Sequence, residues 1–165
     1  MVKRDGAMKR AIALVAVALL VCSFALAQES QQKGTMPKGH PQAVQRQVIV
    51  PDFVKGRWSG VVLRIEDRKD KHTWEVTLPL GKRVGVTGTP FEIEVQYFLP
   101  SFFMDDTRIT SVSNQPKNPA AKIAVYEADK KLHEGWIFAL MPEVHAFRHK
   151  RFGIFLVRGV EAEKE

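Results

Sequence analysis

The chain has little sulfur chemistry, because Cys22 is the only cysteine among its 165 residues. One thiol cannot form an internal disulfide, and zinc sites built from several cysteines are excluded. The sequence also lacks a G-x-S-x-G element, a phosphate-binding loop and a dinucleotide fingerprint. These absences point to no catalytic residue and no cofactor. Without a disulfide, the stability of the fold must come from packing.

An apolar run near the start predicts export. Residues 8–27, "MKRAIALVAVALLVCSFALA", combine two basic residues, an apolar stretch and an A-x-A ending. This pattern is typical of a secretory signal peptide, with cleavage after Ala27. The alternative is an uncleaved anchor, since the run is at the short end of the roughly 17–25 residues that span a bilayer. We therefore expect a periplasmic or secreted protein that contacts the membrane only if the leader is retained.

The charge is mostly carried by the predicted leader. The net charge is +7, and residues 1–27 hold four basic residues against one acidic residue, which leaves +4 in residues 28–165. A mildly basic chain of this kind predicts no nucleic-acid partner. Residues 28–47 are rich in Gln, Pro, Gly and Lys, a composition that favours a disordered linker. The predicted organisation is a signal peptide (1–27), a linker (28–47), a β-domain (48–160) and a polar tail (161–165).

Within 48–160 the hydrophobic period is two rather than 3.6. "FEIEVQYFL" (91–99) places Phe91, Ile93, Val95, Tyr97 and Leu99 on one face, and "WEVTLPL" (74–80) alternates in the same way. Such alternation indicates half-buried strands. Two hairpins are predicted, one turning in "EDRKDKH" (66–72) and one near Asp129-Lys130. With no long amphipathic helix, the sequence predicts an all-β fold: a single antiparallel β-sandwich or small barrel of about seven to eight short strands.

The aromatic-rich window 135–155, "GWIFALMPEVHAFRHKRFGIF", is interpreted first as core structure. The spacing predicts Trp136 and Phe138 on the core face of a central strand, beside a neighbouring strand that carries Phe152, Ile154 and Leu156. "FGIFLV" (152–157) is apolar on both faces, which also favours a central position. The segment 141–151 is expected to form the corner between the two strands.

Two segments are apolar where loops are normally polar. "LPSFFMDD" (99–106) continues with aromatic and methionine side chains after Pro100, and "ALMPEVHAFRH" (139–149) does so around Pro142. Either the two loops fold back and cap the ends of the sandwich, or they form an exposed surface with the composition of a protein-binding site. The candidate partner-binding residues are Phe102, Phe103, Met104, Met141, His145, Phe147 and His149.

His145 and His149 are spaced i, i+4, which on a helix could place two imidazoles on one zinc ion. The zincin pattern requires glutamate directly after the first histidine, where this chain has Ala146. The favoured interpretation is a corner whose histidines bond to the backbone, with no metal. Paired carboxylates (Glu66-Asp67, Glu92/Glu94 and Asp105-Asp106) are expected to be solvated rather than catalytic.

Three quoted stretches carry a resemblance: "FLPSFFM", "SNQPKNPAAKIAVYE" and "GWIFALMPEVHAFRHKRF". Together they resemble an uncharacterised family of small exported bacterial envelope proteins, a domain of unknown function, with a G-W-[IM]-F strand and a following corner that contains histidine. The likeness covers about residues 53–158 and includes Gly135, Trp136, Phe138 and His149, whereas Lys150 stands where the family pattern has proline. The resemblance implies an envelope location and a β fold, and it implies no catalytic residue.

Three functions are compatible with these features. The favoured one is a non-enzymatic envelope domain that binds another envelope protein through loops 99–106 and 139–149. A carbohydrate- or peptidoglycan-binding module would instead stack sugars on Trp58, Trp74 or Trp136. A metal-dependent hydrolase that uses His145 and His149 is the least favoured.

Overall fold

The computed structural model describes residues 46–163, so the predicted leader, nearly all of the predicted linker and the last two residues lie outside the described part. The strands are β1 (Gln47–Val48), β2 (Trp58–Asp67), β3 (His72–Pro79), β4 (Arg83–Gly85), β5 (Phe91–Leu99), β6 (Phe102–Met104), β7 (Arg108–Ser111), β8 (Ala120–Glu127), β9 (Lys130–Phe138) and β10 (Phe152–Glu161). The predicted all-β fold is confirmed, and residues 46–163 contain no helix. Accordingly, no helix in that range could cross a membrane.

The strands of residues 46–163 form three sheets, with strand orders β10-β2-β3, β4-β5-β8-β9 and β1-β7-β6. The two larger sheets are antiparallel throughout, whereas β1 pairs with β7 in parallel. The sequence predicts about seven to eight strands, whereas residues 46–163 contain ten. β1 and β6 have two and three residues, which are too few to show a period.

The two larger sheets pack face to face, because alternate residues of both enter one core. The core side chains of the three-stranded sheet include Val61, Leu63, Ile65, Leu78, Ile154 and Leu156, and those of the four-stranded sheet include Phe91, Ile93, Val95, Ile123, Val125 and Ile137. Phe152, Ile154 and Leu156 are therefore core residues, as predicted. Burying each such side chain stabilises the fold by about 1.5–3 kcal/mol.

Both predicted hairpins are confirmed. β2 and β3 are joined through residues 68–71, with Asp67 opposite His72. β8 and β9 are joined by Ala128 and Asp129, with Glu127 opposite Lys130. Both linking residues have positive φ, 45° and 65°, which is the type I′ geometry that matches the twist of the strands.

One predicted strand face is wrong at its end. A register shift between Val95 and Tyr97, opposite Ile123 and Lys122, inserts a β-bulge into β5. Beyond the bulge, Tyr97 is 37% exposed and Phe98 is buried at 3%. An added residue reverses which side chains face the core, and strict alternation cannot reveal it.

The predicted position of Trp136 is also wrong. Ile137 of β9 enters the core, so Trp136 and Phe138 lie on the opposite face of the sheet. There they contact Phe102 of β6, with ring centroids 5.1 and 5.0 Å apart. The sequence could not settle the choice, because 136, 137 and 138 are all apolar.

The predicted central positions of β9 and β10 are wrong as well, because both are edge strands and they do not pair with each other. The partner of β10 in its sheet is β2. The segment between β9 and β10 crosses from one large sheet to the other, as expected for a corner. On the outer face of β10, Phe155 lies under the Arg64 guanidinium at 4.9 Å. Because this cation covers the aromatic ring, an apolar residue on the outer face does not require β10 to be a central strand.

Candidate functional site

The structure brings the two predicted segments together. Residues 102–104 were predicted to lie in a loop, but they form strand β6, which pairs with β7. The ring of Phe102 packs on Phe138 at the end of β9, and Phe138 in turn lies 6.4 Å from the ring of His145. Pro119 also accepts a hydrogen bond from the Ala139 amide, while the neighbouring Asn118 carbonyl accepts one from the Phe102 amide. Segments 99–106 and 139–149 are thus neighbours at one end of the four-stranded sheet.

Large apolar side chains are exposed on both segments. Their exposed members, here called the apolar patch, are Phe103 (43%), Met104 (50%), Leu140 (65%), Met141 (46%) and Val144 (41%). These are five of the ten large hydrophobic residues that are exposed within residues 46–163, although the two segments make up less than a fifth of that range. Exposed apolar side chains that are concentrated in one region are typical of a contact surface, whereas singly scattered ones are common on any protein.

Two predicted partner-binding residues pack against the core instead: Phe147 is buried, and His149 is half-buried beside it. Phe147 is 4% exposed and meets Phe91 edge to face at 5.4 Å. The ring of His149 stacks on Phe147 and on Phe152, and its Nδ1 accepts hydrogen bonds from the Arg151 and Phe152 amides at 3.3 and 3.2 Å. Phe147 and His149 therefore fasten the 139–149 segment to the core. Of the seven candidates, Phe103, Met104, Met141 and His145 are exposed and Phe102 is half-buried.

A third histidine, which the sequence reading missed, lies beside this segment. His133 of β9 is half-buried, and its ring lies 5.7 Å from that of Phe147. Its Nε2 is buried without a hydrogen-bond partner among the described residues. Burial, and then the nearby His145, lower the pKa of His133 below its ordinary value. The alternation along β9 could have identified His133, because it lies four residues before Ile137 and so on the same, core-facing side of the strand.

An ion-pair network holds the other end of the corner. The Arg151 guanidinium donates to both oxygens of buried Asp67 and to Asp70, at 2.6 Å and 2.7 Å from Nη2. Asp67 Oδ1 also accepts from the Lys69 and Asp70 amides of the β2–β3 turn. The Arg151 hydrogen bonds hold the pKa of Asp67 at about 2, below its ordinary range. Arg68 completes the link by donating to the His149 carbonyl.

One member of each carboxylate pair that the sequence singled out, namely Asp67, Glu92 and Asp105, has a structural partner. Asp105 accepts from the Thr107 and Arg108 amides, and these bonds hold its pKa well below the usual range. Glu92 forms an ion pair with Arg83. A carboxylate whose pKa is lowered, as that of Asp105 is, is poorly suited to donate a proton as a general acid. In residues 46–163, no three His, Cys, Asp or Glu side chains are grouped so that they could hold a metal ion.

The three tryptophans have different surroundings. Trp58 is 9% exposed and donates from Nε1 to Asn114 at 2.8 Å, and Trp136 packs on Phe102. Trp74 instead lines an open groove of about 450 Å³, together with Asp67, Asp70, His72, Thr87, Gly88 and Arg151. Its ring stacks on His72 with centroids 5.3 Å apart and planes 19° from parallel. Trp58 lines a smaller cavity of about 140 Å³, so the larger opening is the one beside Trp74.

Comparison of the chain with protein-family models, with curated proteins and with solved structures finds no match. The resemblance to an exported envelope family stays a prediction, and any functional conclusion has to come from the residues themselves.

Proposed function

We propose that the chain is an exported, non-enzymatic β-domain of the bacterial envelope that binds another envelope protein through the apolar patch. The observation that supports this most directly is the concentration of exposed Phe, Met, Leu and Val side chains on two neighbouring segments. Aromatic residues and methionine are enriched in protein interfaces. The export part of the proposal depends on the sequence pattern of residues 8–27 alone.

The charges beside the patch suggest the chemistry of the partner. Arg148 and Lys150 follow Val144 along the same segment, and both are exposed, as is Arg68 below the corner. Glu143 beside Val144 and exposed Asp106 near Met104 are acidic, so the border of the patch carries both signs of charge. An apolar centre with a rim of mixed charge fits a partner surface that is apolar in the middle and charged at its border, because complementary charge speeds association and fixes orientation.

The construction of the 139–149 segment fits a rigid docking element. Phe147 and His149 fasten it to the core, so Leu140, Met141 and Val144 can be presented without a large loss of chain entropy on binding. His145 has φ of 55°, a left-handed conformation that reverses the chain between the exposed and the buried part. A polar flexible loop would have neither property.

Site-specific photocrosslinking in the native envelope tests the proposal. A photoreactive residue at Phe103 or Met141 should give the same crosslinked protein, whereas one at Thr77, which is exposed on β3, should not. Phe103→Ser combined with Met141→Ser should abolish the adduct from a third patch position, Val144, without lowering the denaturation midpoint. Equal crosslinking at Thr77, or an unchanged adduct in the double variant, would contradict the proposal. N-terminal mass analysis of the same protein should find Gln28 as its first residue if the leader is cleaved.

A further inference from the structure

A second surface of the domain has the makings of a ligand site that is independent of the apolar patch. From the geometry of the groove beside Trp74, we infer that it binds an uncharged sugar ring, as part of a hydroxyl-rich glycan. Its lining combines an aromatic pair with the polar side chains of Asp67, Asp70, Thr87 and Arg151, which suits a ligand that offers both a ring face and hydroxyl groups. The groove lies between the start of β3 and the turn that joins β4 to β5.

The aromatic pair supplies an exposed ring face, that of His72, which is backed by the stacked indole of Trp74. His72 and Trp74 are two residues apart on β3, so their side chains leave the strand on the same side, and their rings are nearly parallel. The axial C–H groups of a pyranose carry partial positive charge and are attracted to the negative face of an aromatic ring. His72 is exposed and Trp74 is half-buried, so the pair is reachable yet anchored.

Gly88 gives the indole its room. A Cβ atom at this position would lie 3.2 Å from Cζ2 of Trp74, which is tighter than an ordinary contact. Gly88 also has φ of 86°, a conformation that side chains disfavour. The β4–β5 turn can therefore approach the Trp74 ring closely and form the second wall of the groove, where Thr87 adds an exposed hydroxyl.

The polar wall is already in position before any ligand arrives. Arg151 is held by Asp67 and Asp70, so its guanidinium and the Asp70 carboxylate have fixed orientations. The Asp70 side chain stays 58% exposed and can accept hydrogen bonds from hydroxyl groups. Among the lining side chains, the two carboxylates offer several acceptor oxygens around one guanidinium, which suits a ligand with many O–H donors.

The experiment is a titration of the full chain with neutral oligosaccharides (chitotetraose, cellotetraose and maltotetraose), followed by the indole N–H resonance of Trp74 in NMR spectra. At least one sugar should shift this resonance selectively, with the Trp58 and Trp136 resonances as internal references. His72→Ala should weaken binding about tenfold and His72→Tyr should retain it, because the flat ring and not the imidazole charge is required. Asp70→Asn should weaken it by a smaller factor.

The inference is overturned if no neutral sugar shifts Trp74 at millimolar concentration, or if binding survives both His72→Ala and Asp70→Asn. It is also overturned if only anionic polygalacturonate or only a peptide binds the groove. The variants lie outside the core, so a loss of binding with unchanged denaturation midpoints reports on the site. Failure here leaves the crosslinking result at Phe103 and Met141 unaffected, because the two surfaces share no residue.

Discussion

Replacing Phe147 with alanine should destabilise the whole domain rather than only remove a surface contact. The side chain is 4% exposed, and its ring contacts those of Phe91, His149 and His133. Truncation of a buried Phe costs about 3–5 kcal/mol through lost burial and the cavity left behind. A domain has about 5–15 kcal/mol of stability in total, so Phe147→Ala should lose a large part of it.

Urea denaturation followed by tryptophan fluorescence measures this loss. The slope with denaturant should stay close to that of the wild type while the midpoint falls, because the change affects stability rather than the surface exposed on unfolding. Phe103→Ala is the matched control: its side chain is 43% exposed, and its removal should change stability by about 0.5 kcal/mol or less. If Phe147→Ala unfolds at the wild-type midpoint, the 139–149 segment is not anchored as described, and the rigid docking element fails with it.

Three further outcomes are expected. Asp67→Asn should lower the stability at pH 7. The pKa of Asp67 is about 2 in the folded protein against an ordinary value of 3.8, so the ionised carboxylate stabilises the fold above about pH 4, and this contribution is lost as the pH falls towards 2. Thermal melts from pH 7 to 2 should therefore show a weaker pH dependence in Asp67→Asn than in the wild type, with the exposed Asp106→Asn as control. Ala128→Gly should raise stability by about 0.5–1 kcal/mol in urea, because Ala128 has φ of 45° in the β8–β9 turn, whereas Ala124→Gly in the middle of β8 should lower it. EDTA should leave the melting temperature unchanged; a drop of several degrees that zinc reverses would show a metal site.

The sequence predicts the fold class and the hairpins because those depend on local patterns. The alternation in 74–80 and the turn signals near Asp67 and Asp129 are each contained in a few residues, and the structure agrees with all three. Tyr97 and Phe98 were misplaced because a bulge is decided by the partner strand. Trp136 was misplaced because three successive apolar residues carry no parity.

The candidate site shows the same division. The sequence singled out Met104 and Met141 because their segments are apolar yet contain proline, but it left open whether these side chains cap the sheets or are exposed; the structure exposes both. The inward position of Phe147 does not follow from its neighbours along the chain, because it depends on Phe91, which is 56 residues away in sequence. The sequence named Trp74 only as one of three tryptophans that could stack on a sugar. It could not show the groove, because the walls come from the β2–β3 turn, the β4–β5 turn and Arg151, which are far apart along the chain.

Arg151 contacts the groove and the corner between β9 and β10 through two different parts of the residue. Its guanidinium fixes the β2–β3 turn and forms one wall of the groove, while its backbone amide donates to His149, whose ring stacks on Phe147. A substitution of Arg151 removes the guanidinium but keeps the amide, so it should disturb the groove and leave the hydrogen bond to His149 in place. His72 and Phe103 separate the two proposed functions more cleanly, because each lies on only one surface.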